Sequence, residues 1–133
     1  MNNTLTKTGV IAIVDDYEPL REALGSVLKA AGFPTNTYAS AEEFVDSPSR
    51  NNIACLVLDV RLPGMSGIEL QKQLEDAGSR VPIIFVTAHG DASVRELVMK
   101  AGAAGFLNKP VRSEALLKAI QSALQKAEAD SKD

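Results

Sequence analysis

Five polar side chains in this sequence are of the types that handle a phosphoryl group and a hard divalent cation. They are Asp15, Asp16, Asp59, Thr87 and Lys109. Crowded carboxylates repel one another and raise one another's pKa, and a proton or a cation relieves that repulsion. Mg²⁺ takes oxygen ligands and bridges carboxylates to phosphate, while an Asp carboxylate can itself accept a phosphoryl group. If the five side chains meet in space, they predict a Mg²⁺-assisted phosphoryl site.

The elements that must position these residues are short apolar runs separated by helical patterns. Each chemical residue lies at or just after the end of a predicted strand. The strands that precede them are Val10–Val14, Ile53–Leu58, Pro82–Val86 and Gly105–Leu107, and a further short strand is predicted at Thr35–Tyr38. Alternation of strands with helices argues for a parallel sheet that has helices on both faces. We therefore predict an α/β, flavodoxin-like, doubly wound sheet of five parallel strands in the order 2-1-3-4-5.

Residues typical of helix starts support this alternation. Pro19 opens the first predicted helix, because a proline at the first helical position loses no hydrogen bond. The caps predicted for the later helices are Ser40 with Glu43, Ser66 with Glu69, Asp91, and Ser113. In a parallel sheet the carboxyl ends of all strands lie on one edge, where ligands bind. The five polar residues should therefore converge there.

Each of the five has an ordinary explanation when it is considered alone. An Asp after a strand is often the N-cap of the next helix, and a Thr at a strand end is often a turn residue. A single Lys is usually solvated. Together these explanations require five such residues to fall on one sheet edge by chance, so the pattern favours a joint site.

Composition limits the function classes. With 133 residues, we predict one domain over 9–127, flanked by flexible termini at 1–8 and 128–133. The net charge of −3 disfavours nucleic-acid binding by this chain.

No apolar stretch reaches the ~20 residues that span a membrane, and the polar start lacks the apolar core of a signal peptide. The one cysteine, Cys55, lies in an apolar run and is expected to be a buried thiol. A cytoplasmic location is the expectation.

Four segments resemble the motifs of response regulator receiver domains, which belong to two-component signalling systems. These segments are Val14–Asp16, Leu58–Gly67, Val86–Ala88 and Lys109–Pro110. The resemblance extends over about Gly9–Ala127. The segment His89–Asp91 and the region of Phe106 are similar to receivers of the nitrogen-fixation transcriptional regulator group, which favours a transcriptional regulator as the parent protein.

The resemblance implies roles for the acidic residues. Asp59 would be the phosphoacceptor and would take its phosphoryl group from a phosphohistidine on a sensor histidine kinase. Asp15, Asp16, Asp59 and the backbone carbonyl of Arg61 would hold Mg²⁺, for which Mn²⁺ can substitute. The protein would then be a phosphoprotein of a phosphorelay.

The resemblance also implies a switch. Lys109, Thr87 and Ala88 would contact the phosphoryl oxygens, and the Lys109–Pro110 peptide bond would be cis. On phosphorylation Thr87 would move toward the phosphate and Phe106 would turn inward. The face formed by the last two helices and the fifth strand would then bind a partner or a second copy of the chain. Phe106 lacks the hydroxyl of a tyrosine, and a plain core role remains its alternative.

Two variable positions of the family are filled by Arg61 and His89, which would tune the lifetime of the phosphoryl group. His89 has the alternative of a solvated loop histidine. Arg61 also bears on a competing function, an aspartate-nucleophile phosphohydrolase, because such enzymes usually carry a second Asp two residues after the nucleophile. Because Arg61 occupies that position, no general acid is in place there. We therefore predict a signalling domain that catalyses only its own phosphorylation and dephosphorylation.

A third hypothesis is a degenerate receiver that acts as a constitutive scaffold. The presence of all five chemical residues argues against it. Only a few polar residues follow the last predicted helix, so no output domain is expected in this sequence. The chain would be either a stand-alone receiver or a fragment of a longer regulator.

Overall fold

The computed structural model describes residues 9–48 and 50–131. Its sheet has five parallel strands in the order β2-β1-β3-β4-β5, as predicted. The strands are β1 Val10–Val14, β2 Thr35–Tyr38, β3 Ile53–Leu58, β4 Ile83–Thr87 and β5 Gly105–Asn108. The three central strands are the most apolar and the most deeply buried, because both of their faces are covered by helices.

Within the described residues, five α-helices cover the two faces of the sheet, and a short 3-10 helix at Arg50–Asn52 precedes β3. The α-helices are α1 Glu18–Ala30, α2 Ala41–Asp46, α3 Gly67–Asp76, α4 Ala92–Lys100 and α5 Ser113–Ser131. One core cluster joins side chains of α2, α3 and α4 to alternate strand residues such as Val14 and Leu58. The other joins α1 and α5 to the intervening residues, such as Ile13 and Val57. The alternation of side chains along each strand therefore produces two separate cores.

Four helix starts were predicted from caps, and the structure differs in two details. Ser66 and Glu69 form a complete capping box. Ser40 accepts from the Glu43 N–H at 3.0 Å, but the Glu43 carboxylate accepts from Ala39 rather than from Ser40. That predicted capping box is therefore only half formed.

The last two helices complete the comparison. Asp91 caps α4 as predicted, because its Oδ1 accepts from the Val94 N–H at 2.9 Å. The prediction that Ser113 caps the final helix is wrong, since Ser113 is the first residue within α5. Helix α5 continues to Ser131, past the predicted domain end at 127. The terminus predicted at 1–8 lies outside the described residues, and so do residues 132–133 of the terminus predicted at 128–133.

Strand β4 begins and ends one residue later than predicted. Pro82 has no N–H for the ladder, although its carbonyl accepts from Leu56 at 2.9 Å. Thr87 pairs with Asn108 of β5 and is therefore the last residue of the strand. Consequently the backbone of Thr87 is held by the sheet itself.

Cys55 lies in β3 and is fully buried, as predicted. Burial raises the pKa of its thiol to about 12, so it stays protonated at neutral pH. Among the described residues, no helix has the length and apolar character needed to cross a membrane.

Candidate functional site

The carboxyl ends of β1 and β3 bring the acidic residues together. Val14 is paired with Leu58 across these neighbouring strands, and the Asp59 N–H donates to the Val14 carbonyl at 3.2 Å. Asp15 and Asp59 therefore lie side by side, and Asp16 follows on the exposed turn. Carboxylate oxygens of the three aspartates all lie within 4.8 Å of one another. The predicted convergence of these carboxylates is present.

Lys109 joins two of these carboxylates from the far side of the sheet edge. Its Nζ donates to Asp15 Oδ2 at 2.9 Å and to Asp59 Oδ2 at 2.8 Å. Only 18% of the Lys109 side chain is exposed, so water screens these bonds much less than it screens a surface ion pair. The lysine is therefore a fixed positive charge beside the acidic cluster rather than a solvated side chain.

Burial and charge act against each other at this cluster. Asp15 is 2% exposed and Asp59 is 6% exposed. Burial raises the pKa of Asp15 above its ordinary value, and the hydrogen bond from Lys109 opposes that effect only in part. For Lys109, burial favours the neutral form, but the bonds to Asp59 and Asp15 outweigh it and raise the pKa of the ammonium group. Lys109 is therefore charged at neutral pH.

The second oxygen of each buried carboxylate is also held. Asp15 Oδ1 accepts from the Tyr17 N–H at 2.9 Å, and Asp59 Oδ1 accepts from the Arg61 N–H at 3.2 Å. The N-cap residues of α1 and α3 are Tyr17 and Ser66. The helix-cap explanation therefore fails for both aspartates, and their carboxylates are oriented toward the cluster.

Two features of the site were not found from the sequence. Arg21 on α1 donates to the Asp15 backbone carbonyl at 2.7 Å, which fixes the turn after β1. Gly67 opens α3 directly against Asp59, and a Cβ at that position would lie 2.0 Å from the Asp59 carbonyl oxygen. The sequence contained Gly67 as part of a motif, but only the packing shows why no side chain fits there.

Thr87 and its neighbours form the next part of the edge. Thr87 is fully buried, and its Oγ1 accepts from the His89 N–H at 3.1 Å. Ala88 and His89 are exposed on the loop that follows. The Lys109 N–H donates to the Thr87 carbonyl at 2.9 Å, and the Lys109–Pro110 peptide bond is cis. Thr87 and Lys109 are thus tied to the same end of the sheet.

Phe106 points into the protein in this structure. It is 8% exposed and belongs to the core cluster shared with α2, α3 and α4. The ring lies against Gly90, where a Cβ would be 2.5 Å from the ring Cζ. The Arg95 guanidinium lies 5.9 Å from the ring centroid, within the range of a cation–π contact. The inward position is therefore packed on several sides.

The donor set fits a hard divalent cation. Three carboxylates offer oxygen ligands within one small cluster, and the exposure of Asp16 leaves room for the waters that Mg²⁺ retains. Arg61 directly adjoins the cluster through its bond to Asp59. Asp15, Asp16, Asp59 and the Arg61 carbonyl are the groups that would hold such an ion.

The fold and the edge cluster define a flavodoxin-like α/β domain with an acidic site at the carboxyl ends of its strands. Residues 11–121 match the family model of the response regulator receiver domain. The chain belongs to this family of two-component response regulators, which confirms the family predicted from the motifs.

Named relatives agree with this assignment. The chain is 42% identical over 121 residues to the response regulator protein TodT of Pseudomonas putida, with 91% of this chain and 53% of TodT covered. It is 38% identical over 124 residues to the transcriptional regulatory protein FixJ of Bradyrhizobium diazoefficiens, with 93% and 60% covered. The crystal structure of FixJ-N superposes with a TM-score of 0.79 at 36% identity, covering 94% of this chain and 96% of that one. The chain thus spans little more than half of these full-length relatives.

Proposed function

We propose that this domain receives a phosphoryl group on Asp59 from a phosphohistidine of a sensor histidine kinase. The observation that carries the proposal is the double contact of Lys109 with Asp15 and Asp59 beside a third carboxylate. That arrangement places one fixed positive charge against two buried carboxylates. It suits a site that accumulates negative charge during phosphoryl transfer.

The proposed step needs no general base. A carboxylate oxygen of Asp59 bonds to phosphorus, and the bond from phosphorus to the histidine nitrogen breaks. The imidazole nitrogen keeps the electron pair and takes a proton from water. A carboxylate nucleophile carries no proton that has to be removed before attack. The product is an acyl phosphate on Asp59.

The residues around Asp59 would bind the transferred group. Lys109 would donate to phosphoryl oxygens in place of one of its carboxylate bonds, and Thr87 would donate its hydroxyl. A Mg²⁺ ion held by Asp15, Asp16, Asp59 and the Arg61 carbonyl, or Mn²⁺ in its place, would neutralise charge on the phosphoryl oxygens.

The proposed output is a shift between two conformations of the face made by α4, β5 and α5. Phe106 is already inward in this structure, so phosphorylation would raise the population of that orientation. Moving a population from 1:99 to 99:1 takes about 5.5 kcal/mol, and charge-assisted bonds from Lys109 and Thr87 would supply much of it. Exposed Leu97 and Met99 on α4 would then bind a partner or a second copy of the chain.

Arg61 and His89 are both exposed next to the site, where they would set how readily water attacks the acyl phosphate. Because Arg61 lacks a carboxyl group, the domain would turn over only its own phosphoryl group and not external phosphate esters. Transcription regulation would belong to a longer parent protein, by analogy with relatives such as FixJ.

The test is labelling with acetyl phosphate and Mg²⁺, followed by intact-protein mass spectrometry. Wild type should gain one phosphoryl group, Asp59→Asn should gain none, and EDTA should abolish the reaction. Asp46→Asn changes an exposed aspartate on α2 and should label like wild type. Persistent labelling of Asp59→Asn would overturn the assignment of the phosphoacceptor.

A further inference from the structure

The loop between β3 and α3, residues 59–66, is tied to a different part of the chain. Glu42 in the first turn of α2 accepts a hydrogen bond through Oε2 from the Met65 N–H at 2.8 Å. The two residues are 23 positions apart in the sequence. Helix α2 is itself anchored by Ala41 and Phe44, which are fully or almost fully buried. The loop is therefore held by a helix that supplies none of the five chemical residues.

The contact depends on a glycine. Gly64 has φ +76°, and a Cβ at this position would lie 2.5 Å from Oε2 of Glu42. The carboxylate thus lies directly against the Gly64–Met65 peptide, in space that any other residue would fill. Gly64 is needed both for its left-handed conformation and for this close approach.

The ends of the same loop are fixed by other bonds. The Arg61 N–H donates to Asp59 Oδ1 at 3.2 Å, and the Gly67 N–H donates to the Val60 carbonyl at 2.9 Å. The Ser66 N–H donates to the Glu69 carboxylate at 2.8 Å. All three bonds stay within the segment that joins β3 to α3, whereas the bond from Met65 to Glu42 ties the loop to a different helix. A loop that is also held from outside has fewer conformations in which Arg61 leaves the acidic cluster.

We propose that Glu42 is a positioning residue for the cation site. It holds the loop of residues 59–66 in the conformation that keeps Arg61 beside Asp59, without itself contacting the cation or the phosphoryl group. This inference rests on the proposed function, because it concerns the same cation site. What the loop needs from Glu42 is a hydrogen-bond acceptor, and its negative charge is secondary.

Glu42 also has a simpler role, since a carboxylate in the first turn of a helix interacts favourably with the helix dipole. The two roles respond differently to substitution. Glu42→Gln removes the charge but keeps an oxygen that accepts from Met65, whereas Glu42→Ala removes both. Asp46→Ala removes an exposed carboxylate from the other end of α2 and is the matched control for charge.

The experiment is a Mg²⁺ titration followed by amide NMR, together with the hydrogen-exchange rate of the Met65 amide. Glu42→Ala should weaken Mg²⁺ binding about fivefold, the size expected for one net hydrogen bond, and should speed exchange at Met65. Glu42→Gln should stay within about twofold of wild type, and Asp46→Ala should match wild type. Equal Mg²⁺ affinity in Glu42→Ala and wild type would overturn the inference, as would an equal loss in Glu42→Gln.

A second pair of variants approaches the contact from the loop. Gly64→Ala places a methyl group against the Glu42 carboxylate, whereas Gly78→Ala has a similar φ of +81° but meets nothing within 4 Å. Gly64→Ala should weaken Mg²⁺ binding as Glu42→Ala does, and Gly78→Ala should not. If both glycine variants bind Mg²⁺ equally well, the inference is wrong. Failure of the proposed function itself is recognised separately, because wild type would then neither bind Mg²⁺ nor label.

Discussion

Replacing Lys109 with methionine tests whether the lysine compensates buried negative charge. Methionine keeps most of the length and apolar surface of the side chain but removes its charge and its donors. Asp15 and Asp59, which are 2% and 6% exposed, would then face each other without their shared partner. We therefore expect a loss of folding stability that exceeds any loss of packing.

The expected size follows from the contacts. Lys109 makes two charge-assisted bonds of 2.9 Å and 2.8 Å, and its side chain is 18% exposed. Removing one partner of a buried ion pair costs about 3–5 kcal/mol, and the partial exposure of the lysine places this case near the lower limit. We expect Lys109→Met to lower the free energy of unfolding by about 3 kcal/mol at pH 7 without Mg²⁺.

The loss should depend on pH in a definite direction. The pKa of Asp15 is already raised by burial, with Lys109 opposing the shift, so removing Lys109 raises it further. A carboxyl with a higher pKa in the folded than in the unfolded state stabilises the fold below the unfolded pKa. That contribution is lost as pH rises through the folded pKa. The deficit of Lys109→Met should therefore shrink as the pH falls from 7 toward 5.

Urea unfolding followed by circular dichroism in EDTA measures this deficit at each pH. Lys72→Met is the matched control, because Lys72 pairs with Asp76 at 3.8 Å while both side chains are largely exposed. That variant should change stability by less than about 0.5 kcal/mol. A Lys109→Met deficit no larger than the control, or one that grows on acidification, would refute the reasoning.

Two further predictions concern glycines at close contacts, and each can be measured on purified domains. Gly67→Ala should lower the free energy of unfolding by about 2 kcal/mol, because its Cβ would lie 2.0 Å from the Asp59 carbonyl oxygen. Gly25 lies within α1, and its Cβ would make an ordinary 3.6 Å contact with Thr37 Cγ2 of β2, so Gly25→Ala should instead raise the free energy of unfolding by about 0.5–1 kcal/mol. Urea melts that rank the two variants in the opposite order would contradict this packing argument. Gly90→Ala should displace the ring of Phe106, whose Cζ lies 2.5 Å from the added methyl position, and aromatic NMR signals unchanged from wild type would contradict it.

The fold was predictable because its pattern is strong at several levels at once. The apolar runs of β1, β3 and β4 are uninterrupted, and the turns between elements contain residues that start or stop helices. Once a parallel sheet is accepted, its topology places Asp15, Asp59, Thr87 and Lys109 at one edge without any knowledge of side chains. The position of the site therefore followed from the same signals as the fold.

The contacts within the site were less predictable, for a physical reason. Periodicity places a residue on an edge, but it does not say which side chains touch there. The bonds of Lys109 connect residues 94 and 50 positions apart, and the tie from Glu42 to Met65 crosses from one βα unit to the next. The prediction for Ser113 failed for a local reason, because a shift of one residue is enough to turn an N-cap into the first residue of a helix.

Of the two explanations offered for Phe106, the core role is confirmed by its burial, and the switch role stays a prediction. The ring also lies against Gly90, in the loop that follows Thr87 and precedes α4. A ring that contributes to the core in its inward position makes that orientation favourable before any phosphoryl group is present. A phosphoryl group on Asp59 would then need to add only the difference between the two orientations, because a ligand shifts an equilibrium by its differential interaction with the two states. In the proposed switch, the packing of Gly90 against the ring would be one of the contacts that set this difference.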